Sequence, residues 1–146
     1  MATPSALDTL ITLAVKETDA AAKRLGHAIR ACEEVEQKLQ LLQQYRADYA
    51  ERFQQTLSVG LSAMGYRNFQ LFIDKLDAAI ASQHAVLHDA QQRIAQERSA
   101  WQASERKRMS YGTLASRAVT EEQRKEAKRD QKATDEHAAR ALHYKR

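Results

Sequence analysis

Apolar side chains spaced alternately three and four residues apart run through two long stretches of this chain, separated by one glycine-bearing break. The first stripe reads Leu7, Ile11, Ala14, Thr18, Ala21, Leu25, Ala28, Cys32, Val35, Leu39, Leu42, Arg46, Tyr49 and Phe53. The second reads Phe69, Ile73, Leu76, Ile80, Gln83, Leu87, Ala90, Ile94, Glu97, Trp101, Ser104, Arg108, Tyr111, Ala115 and Ala118. Such spacing gathers the side chains along one side of a slightly under-wound helix, so each stretch has a single seam to bury against a partner helix. A chain built this way has no walls to enclose a substrate. It can bridge, plug, twist or present a surface.

Composition agrees with long helices. One proline and four glycines are spread over 146 residues, and 29% of the chain is charged. A two-helix arrangement lacks a deep core and draws its stability from one seam, at roughly 25 cal/mol per Å² of apolar area buried. Modest stability with fraying ends is expected. Cys32 is the only cysteine, which rules out an intrachain disulfide; on the apolar stripe it acts as a small hydrophobe and fits a reducing compartment. No apolar run approaches the ~20 residues of a membrane span. The opening MATPSALDTL has neither a basic start nor an apolar core, so no cleaved signal peptide is expected and the cytoplasm is the default. The net charge of +4 is dispersed among acids, which reads as a solvated helix surface, with an acidic partner or an anionic membrane surface as the alternative and nucleic acid behind both.

Thr3 and Pro4 read as an N-cap followed by proline at the first helical position. Gly26, inside the first array, costs roughly 1 kcal/mol against alanine and is either tolerated or closely packed. The first helix is expected over about 4–58, a turn over about 59–67 and a second helix over about 68–118. Gly60 suits a left-handed helix stop, and Asn68, or Ser62 in a tighter turn, suits the next cap. A break this short folds the chain back on itself. The fold class is therefore all-α: a long antiparallel two-helix coiled coil, or helical hairpin, over 1–118, with a charged extension over 119–146. A turn centred near residue 63 sets Leu39 against Leu87, Cys32 against Ile94 and Leu25 against Trp101, with Ala21 and Ala28 flanking the indole.

The seam weakens toward the free ends, where Glu97, Ser104 and Arg108 take core positions. Past Ala118 the first helix has nothing left to offer as a partner. The stretch from Thr120 to Arg146 mixes both charges and has no apolar face, so it is either an overhanging single helix or a disordered tail that orders on a partner.

Catalytic and cofactor signatures are absent. There is no phosphate-cradling glycine loop, no dinucleotide fingerprint and no CxxC. His84 and His88 share a helix face but lack a clear set of further ligands, and surface polarity accounts for them. No enzyme activity, cofactor or metal is expected. Tyr45, Tyr49, Phe53, Tyr66, Phe69 and Phe72 cluster near the turn, where packing accounts for Tyr49, Phe53 and Phe69. Phe72 precedes the stripe residue Ile73 and points about 100° away from it. Phe72, Leu76 and Ala79 follow one edge at i, i+4, i+7, and the residues alone leave packing and docking both open.

Several runs do not follow from periodicity. They are Tyr66-Arg67-Asn68-Phe69-Gln70-Leu71-Phe72-Ile73 continuing through Leu76 to Ala79-Ile80, and Asp130-Gln131-Lys132 with Asp135-Glu136, Ala138 and Arg140. With Leu7-Asp8-Thr9-Leu10, Ala21-Ala22, Leu25-Gly26 and Cys32 followed by Glu36, Leu39, Leu42 and Tyr45, the chain resembles the FliJ family of flagellar type III export proteins over essentially its whole length. The resemblance implies a cytoplasmic component of the export apparatus, peripherally associated with the cytoplasmic face of the inner membrane at the flagellar base. It implies a stalk-like adaptor that inserts its helix ends into the hexameric export ATPase FliI, promotes ring assembly, contacts the export gate protein FlhA and escorts export chaperones. Carried over by position, the gate contact is Phe72, Leu76, Ala79 and Gln83. The ATPase contact is Leu7, Leu10, Ala14, Ala21, Arg108, Arg117, Gln131 and Asp135. Neither nucleic acid nor stable membrane insertion is expected, and the free chain is expected to be monomeric. The competing readings are a generic structural coiled coil, an export chaperone and, behind both, a basic nucleic-acid binder.

Overall fold

The structure is a computed structural model, and it describes residues 5–145. Two helices make up the described chain, α1 (Ala6–Val59) and α2 (Ala63–Tyr144), packed against each other as a hairpin. The Thr3-Pro4 opening lies outside the described residues. At the start of α1 a reciprocal cap is visible instead: the Asp8 N–H donates to Ser5 Oγ at 3.2 Å, and the Ser5 N–H donates to Asp8 Oδ2 at 3.2 Å. Two of the otherwise orphaned donors of the first turn are thereby satisfied.

The turn is tighter than 59–67. It occupies only residues 60–62, and α2 begins at Ala63, not near 68. Gly60 ends α1 with a φ of +114° while its N–H donates to the Thr56 carbonyl at 3.1 Å. Ser62, not Asn68, caps α2: the Gly65 N–H donates to Ser62 Oγ at 3.1 Å. Nor does α2 stop near residue 118; it continues as one helix to Tyr144.

Contacts divide the chain into two units. The first to describe is Asp19–Gln102, the hairpin around the turn. Its buried side chains are Ala21, Ala28, Cys32, Leu39, Ile73 and Leu76, all on the heptad stripes. Cross-helix pairs fix its register. Phe53 stacks on Phe69, Tyr49 meets Phe72, Arg46 binds Asp77 and Arg24 binds Glu97. These pairings move the facing residues about one helical turn from the register expected of a turn at residue 63. Leu39 sits across from the neighbourhood of Gln83, not Leu87, and Cys32 across from that of Ala90, not Ile94. Trp101 comes opposite Ala21, not Leu25. The cause is the short turn, centred on Leu61. A shift of one turn keeps the same stripe inward, so the seam survives while every partner changes. Ala21 is wholly buried in this register, which needs a large neighbour across the seam. A Cβ added at Gly26 would meet nothing within 4 Å, so that glycine is tolerated and not required by close packing.

The second unit is Met1–Thr18 with Ala103–Arg146, of which 5–18 and 103–145 are described. Ala14 and Thr18 are its buried residues, and the Thr18 hydroxyl is satisfied by donating to the Ala14 carbonyl at 2.8 Å. Glu17 and Lys107 pair across the helices at 3.9 Å. Arg108 and Tyr111 are half-buried, and Ala115 is the last residue of α2 to be covered at all. Ala118, expected on the seam, is exposed. From residue 116 onward every described residue is exposed, yet the backbone stays helical. Local pairs line this stretch: Arg124 with Glu121 at 3.0 Å, Arg129 with Glu122 at 3.8 Å, and Gln131 with Asp135 at 3.1 Å. Such pairs are worth a few tenths of a kcal/mol each and support a helix without a tertiary face.

Candidate interaction surfaces

In the unit around the turn, aromatic side chains interleave from both helices. Phe53 and Phe69 stack with centroids 3.5 Å apart, and Tyr49 stacks on Phe69 at 4.9 Å. Phe72 joins them, 4.5 Å from Tyr49 and 6.1 Å from Tyr45. Its ring is thus half-buried against α1 and does not stand free at the edge of the stripe. The tight turn explains this, because it slides α2 until Phe72 reaches the tyrosines. Leu76 is buried in the seam, Gln83 is half-buried and Ala79 faces outward. The run Phe72, Leu76, Ala79 and Gln83 is therefore a graded edge, from packed ring to exposed methyl. Tyr45 and Leu41 are exposed beside it on α1.

Below this edge two ion pairs cross the hairpin. Arg46 grips Asp77 with two donors, its Nε and its Nη2, the latter at 3.3 Å from Asp77 Oδ2. The hydrogen bonds from Arg46 hold the Asp77 carboxyl below the usual carboxylate range, and the same bonds raise the Arg46 guanidinium further. Glu97, placed by the heptad at a core position, is held by Arg24 at 3.3 Å and by Arg93 at 3.5 Å. Cys32 is buried one face along. Burial pushes its thiol up, and Glu36, which accepts a weak bond from the sulfur at 3.7 Å, pushes it the same way. A thiol held protonated is a packing group and a poor nucleophile.

In the unit of the paired ends, Leu7 is half-buried, Leu10 and Leu13 are exposed and Ala14 is covered. Leu10, Leu13, Ala14 and Glu17 of α1 line a shallow groove with Lys107 and Tyr111 of α2. Arg108 is held by Glu105 through two hydrogen bonds, and those bonds keep the Glu105 carboxyl below its ordinary range. Arg117, Gln131 and Asp135 lie on the exposed helix beyond the pairing, Gln131 donating to Asp135. Ala21 belongs to the other unit, where it is buried in the seam. The structure thus gathers Leu7, Leu10, Ala14 and Arg108 at the paired ends, strings Arg117, Gln131 and Asp135 along the extension and leaves Ala21 out of both. Sequence reasoning missed Tyr45 as the partner of Phe72. Its i, i+4 relation to the stripe residue Tyr49 was the available signal.

Among the described residues no group of three or more His, Cys, Asp or Glu side chains is placed to hold a metal, and no helix is long and apolar enough to cross a membrane.

The family model described as "Flagellar FliJ protein" matches residues 3–146. The chain is 33% identical over 141 residues to the flagellar FliJ protein of Escherichia coli (strain K12), covering 97% of this chain and 96% of that one. It is 32% identical over 141 residues to the flagellar FliJ protein of Salmonella typhi, with the same coverage of each.

Proposed function

Because the chain belongs to the flagellar FliJ family, we infer that it is a non-enzymatic component of the flagellar type III export apparatus, an adaptor joining the export ATPase FliI to the export gate protein FlhA and escorting unloaded export chaperones. The observation that carries the reading is the extent of the match, from residue 3 to residue 146, which takes in the paired ends, the turn and the extension together.

The chemistry of the two surfaces supports a division of labour. At the paired ends, exposed Leu10 and Leu13 beside a thin seam offer apolar contact that a surrounding ring of subunits would cover. Along the extension, charges of both signs project without a tertiary partner, and long-range charge contacts tolerate small rotations and slips that close packing does not. The ATPase contact is made by Leu7, Leu10, Ala14, Arg108, Arg117, Gln131 and Asp135. The gate contact is made by the outer face of the Phe72, Leu76, Ala79 and Gln83 edge. The protein works as a monomer on the cytoplasmic side of the membrane at the flagellar base.

Capture assays separate the two contacts. Removing residues 120–146 is expected to reduce retention of FliI and to spare FlhA. Ala79→Arg, which changes an exposed methyl, is expected to do the reverse. Equal loss of both partners in either variant, with helicity unchanged, contradicts the two-surface reading.

A further inference from the structure

Two residues at the start of α2, Gly65 and Asn68, cost the helix without serving the seam. Ser62 already supplies the cap, so the Asn68 side-chain amide has no partner among the described residues. Gly65 makes room: a Cβ there would come 2.8 Å from Leu61 Cδ1, so its absence lets Leu61 fold down onto α2. Both residues line one groove at the tip of the hairpin, with a volume of about 210 Å³. The stacked rings of Phe53 and Phe69 form its floor. Exposed Arg52 and Asn68 stand at its rim on the two helices, and Leu61 forms its lip.

No acid lines this groove. Asp48, Glu51 and Asp74 are the nearest in sequence. Asp48 accepts from Gln44 at 3.1 Å and Asp74 from Gln70 at 3.5 Å, each on its own helix. None of the three pairs with Arg52, which has no ion-pair partner among the described residues. The rim therefore carries one unneutralised guanidinium beside an aromatic floor. The volume lies below the ~300–1,000 Å³ of small-molecule sites, so the groove suits one large side chain and not a whole ligand. A desolvated slot for a single apolar anchor, with a fixed charge beside it, is how protein interfaces concentrate their binding energy. The floor offers ring faces to an aromatic or leucine side chain. Arg52 can hold a carboxylate with two parallel N–H donors. The Asn68 amide can both donate to and accept from a peptide unit.

We propose that the tip groove takes an acidic–apolar segment of a partner protein. One aromatic or leucine side chain rests on the Phe53–Phe69 floor, a neighbouring aspartate or glutamate binds Arg52, and the segment's backbone pairs with Asn68. The groove is separate from the edge of Phe72, Leu76, Ala79 and Gln83, none of which lines it. The proposal does not depend on the export reading.

NMR titration of the full chain tests it, with a short peptide blocked at both ends in which aspartate precedes phenylalanine between glycines. The Asn68 side-chain amide and the Leu61 methyls are expected to shift and to saturate at millimolar peptide, as suits one anchor of a larger contact. Replacing the peptide's aspartate by asparagine, or its phenylalanine by alanine, is expected to weaken binding roughly tenfold in each case. Arg52→Ala is expected to cost about the same factor. Arg67→Ala, which removes an exposed arginine outside the groove, is expected to cost nothing. Gly65→Ala is expected to weaken binding as well, because its methyl displaces Leu61 from the lip. Unchanged helicity shows that these variants fold. Absence of any shift at the tip overturns the proposal. So does equal affinity for the asparagine peptide, or an equal loss in Arg67→Ala. Tip signals that move with chain concentration alone would assign the groove to a second copy. Signals moved by phosphatidylglycerol vesicles and by no peptide would assign it to lipid. Either result overturns the proposal.

Discussion

Arg24 reaches across the hairpin to Glu97, its Nε 3.3 Å from the carboxylate, at a heptad position where an apolar residue is the rule. Glu97 is only 16% exposed, and Arg93 on its own helix holds the other oxygen at 3.5 Å. The pair specifies register as well as adding stability. A slip of one heptad in either direction would bring Glu97 beside Glu33 and Glu34 or beside Glu17 and Asp19, where a shielded carboxylate meets like charge. Arg24→Ala should therefore destabilise the hairpin by about 1–2 kcal/mol, between the values for exposed and buried pairs, since Arg93 still serves the carboxylate. Glu97→Leu added to it should recover that loss by restoring an apolar seam. Urea midpoints at constant slope check both.

The Arg46–Asp77 pair gives a pH dependence of known sign. Asp77 has its pKa lowered in the folded chain, chiefly by hydrogen bonds from Arg46. The unfolded chain therefore binds more protons than the folded one just below the ordinary aspartate value of about 3.9. The stabilisation is present above that value and is lost as pH falls through the lowered one. Asp77→Asn should flatten the acid limb of the stability–pH curve and leave the neutral region with little slope, as measured by thermal midpoints across the acid range.

Phe69 lies between Phe53 and Tyr49, stacked on both. Phe69→Ala should cost about 3 kcal/mol, the low end for a large aromatic truncation because the site is half-exposed. Loss should fall first at the turn, so amide exchange near Tyr49 and Phe53 should accelerate before exchange near Cys32 does.

Gly60 holds a φ of +114°, where a side chain is strained whatever space surrounds it. Gly60→Ala should destabilise by about 1–2 kcal/mol, whereas Gly26→Ala, in open helix surface, should stabilise by up to about 1 kcal/mol. Opposite shifts in melting temperature for the two substitutions are the expected readout.

The heptad stripes were legible residue by residue. Ala14, Thr18, Ala21, Ala28, Cys32, Leu39, Ile73 and Leu76 all fall where the three–four spacing puts them. Register was not legible, because it depends on where the turn closes. Gly60 and Ser62 marked a tight turn, but Asn68 offered an equally good cap, and choosing between them moves every partner by about one turn. Whether Phe72 packs or stands free stayed open for the same reason. Its direction relative to Ile73 follows from helix geometry, but whether Tyr45 and Tyr49 lie opposite follows only from the register. The extension was undecidable from pattern alone, since a polar helix without a face is held by many weak local pairs whose sum is near the threshold of stability.

The central claim, that the chain is an adaptor acting on an export ATPase, is tested most directly by ATP hydrolysis. Purified FliI is assayed alone and with increasing amounts of the full chain. Stimulation that rises with added chain and saturates is the predicted result. Hydrolysis unchanged at every ratio, with the chain helical and monomeric, would contradict it.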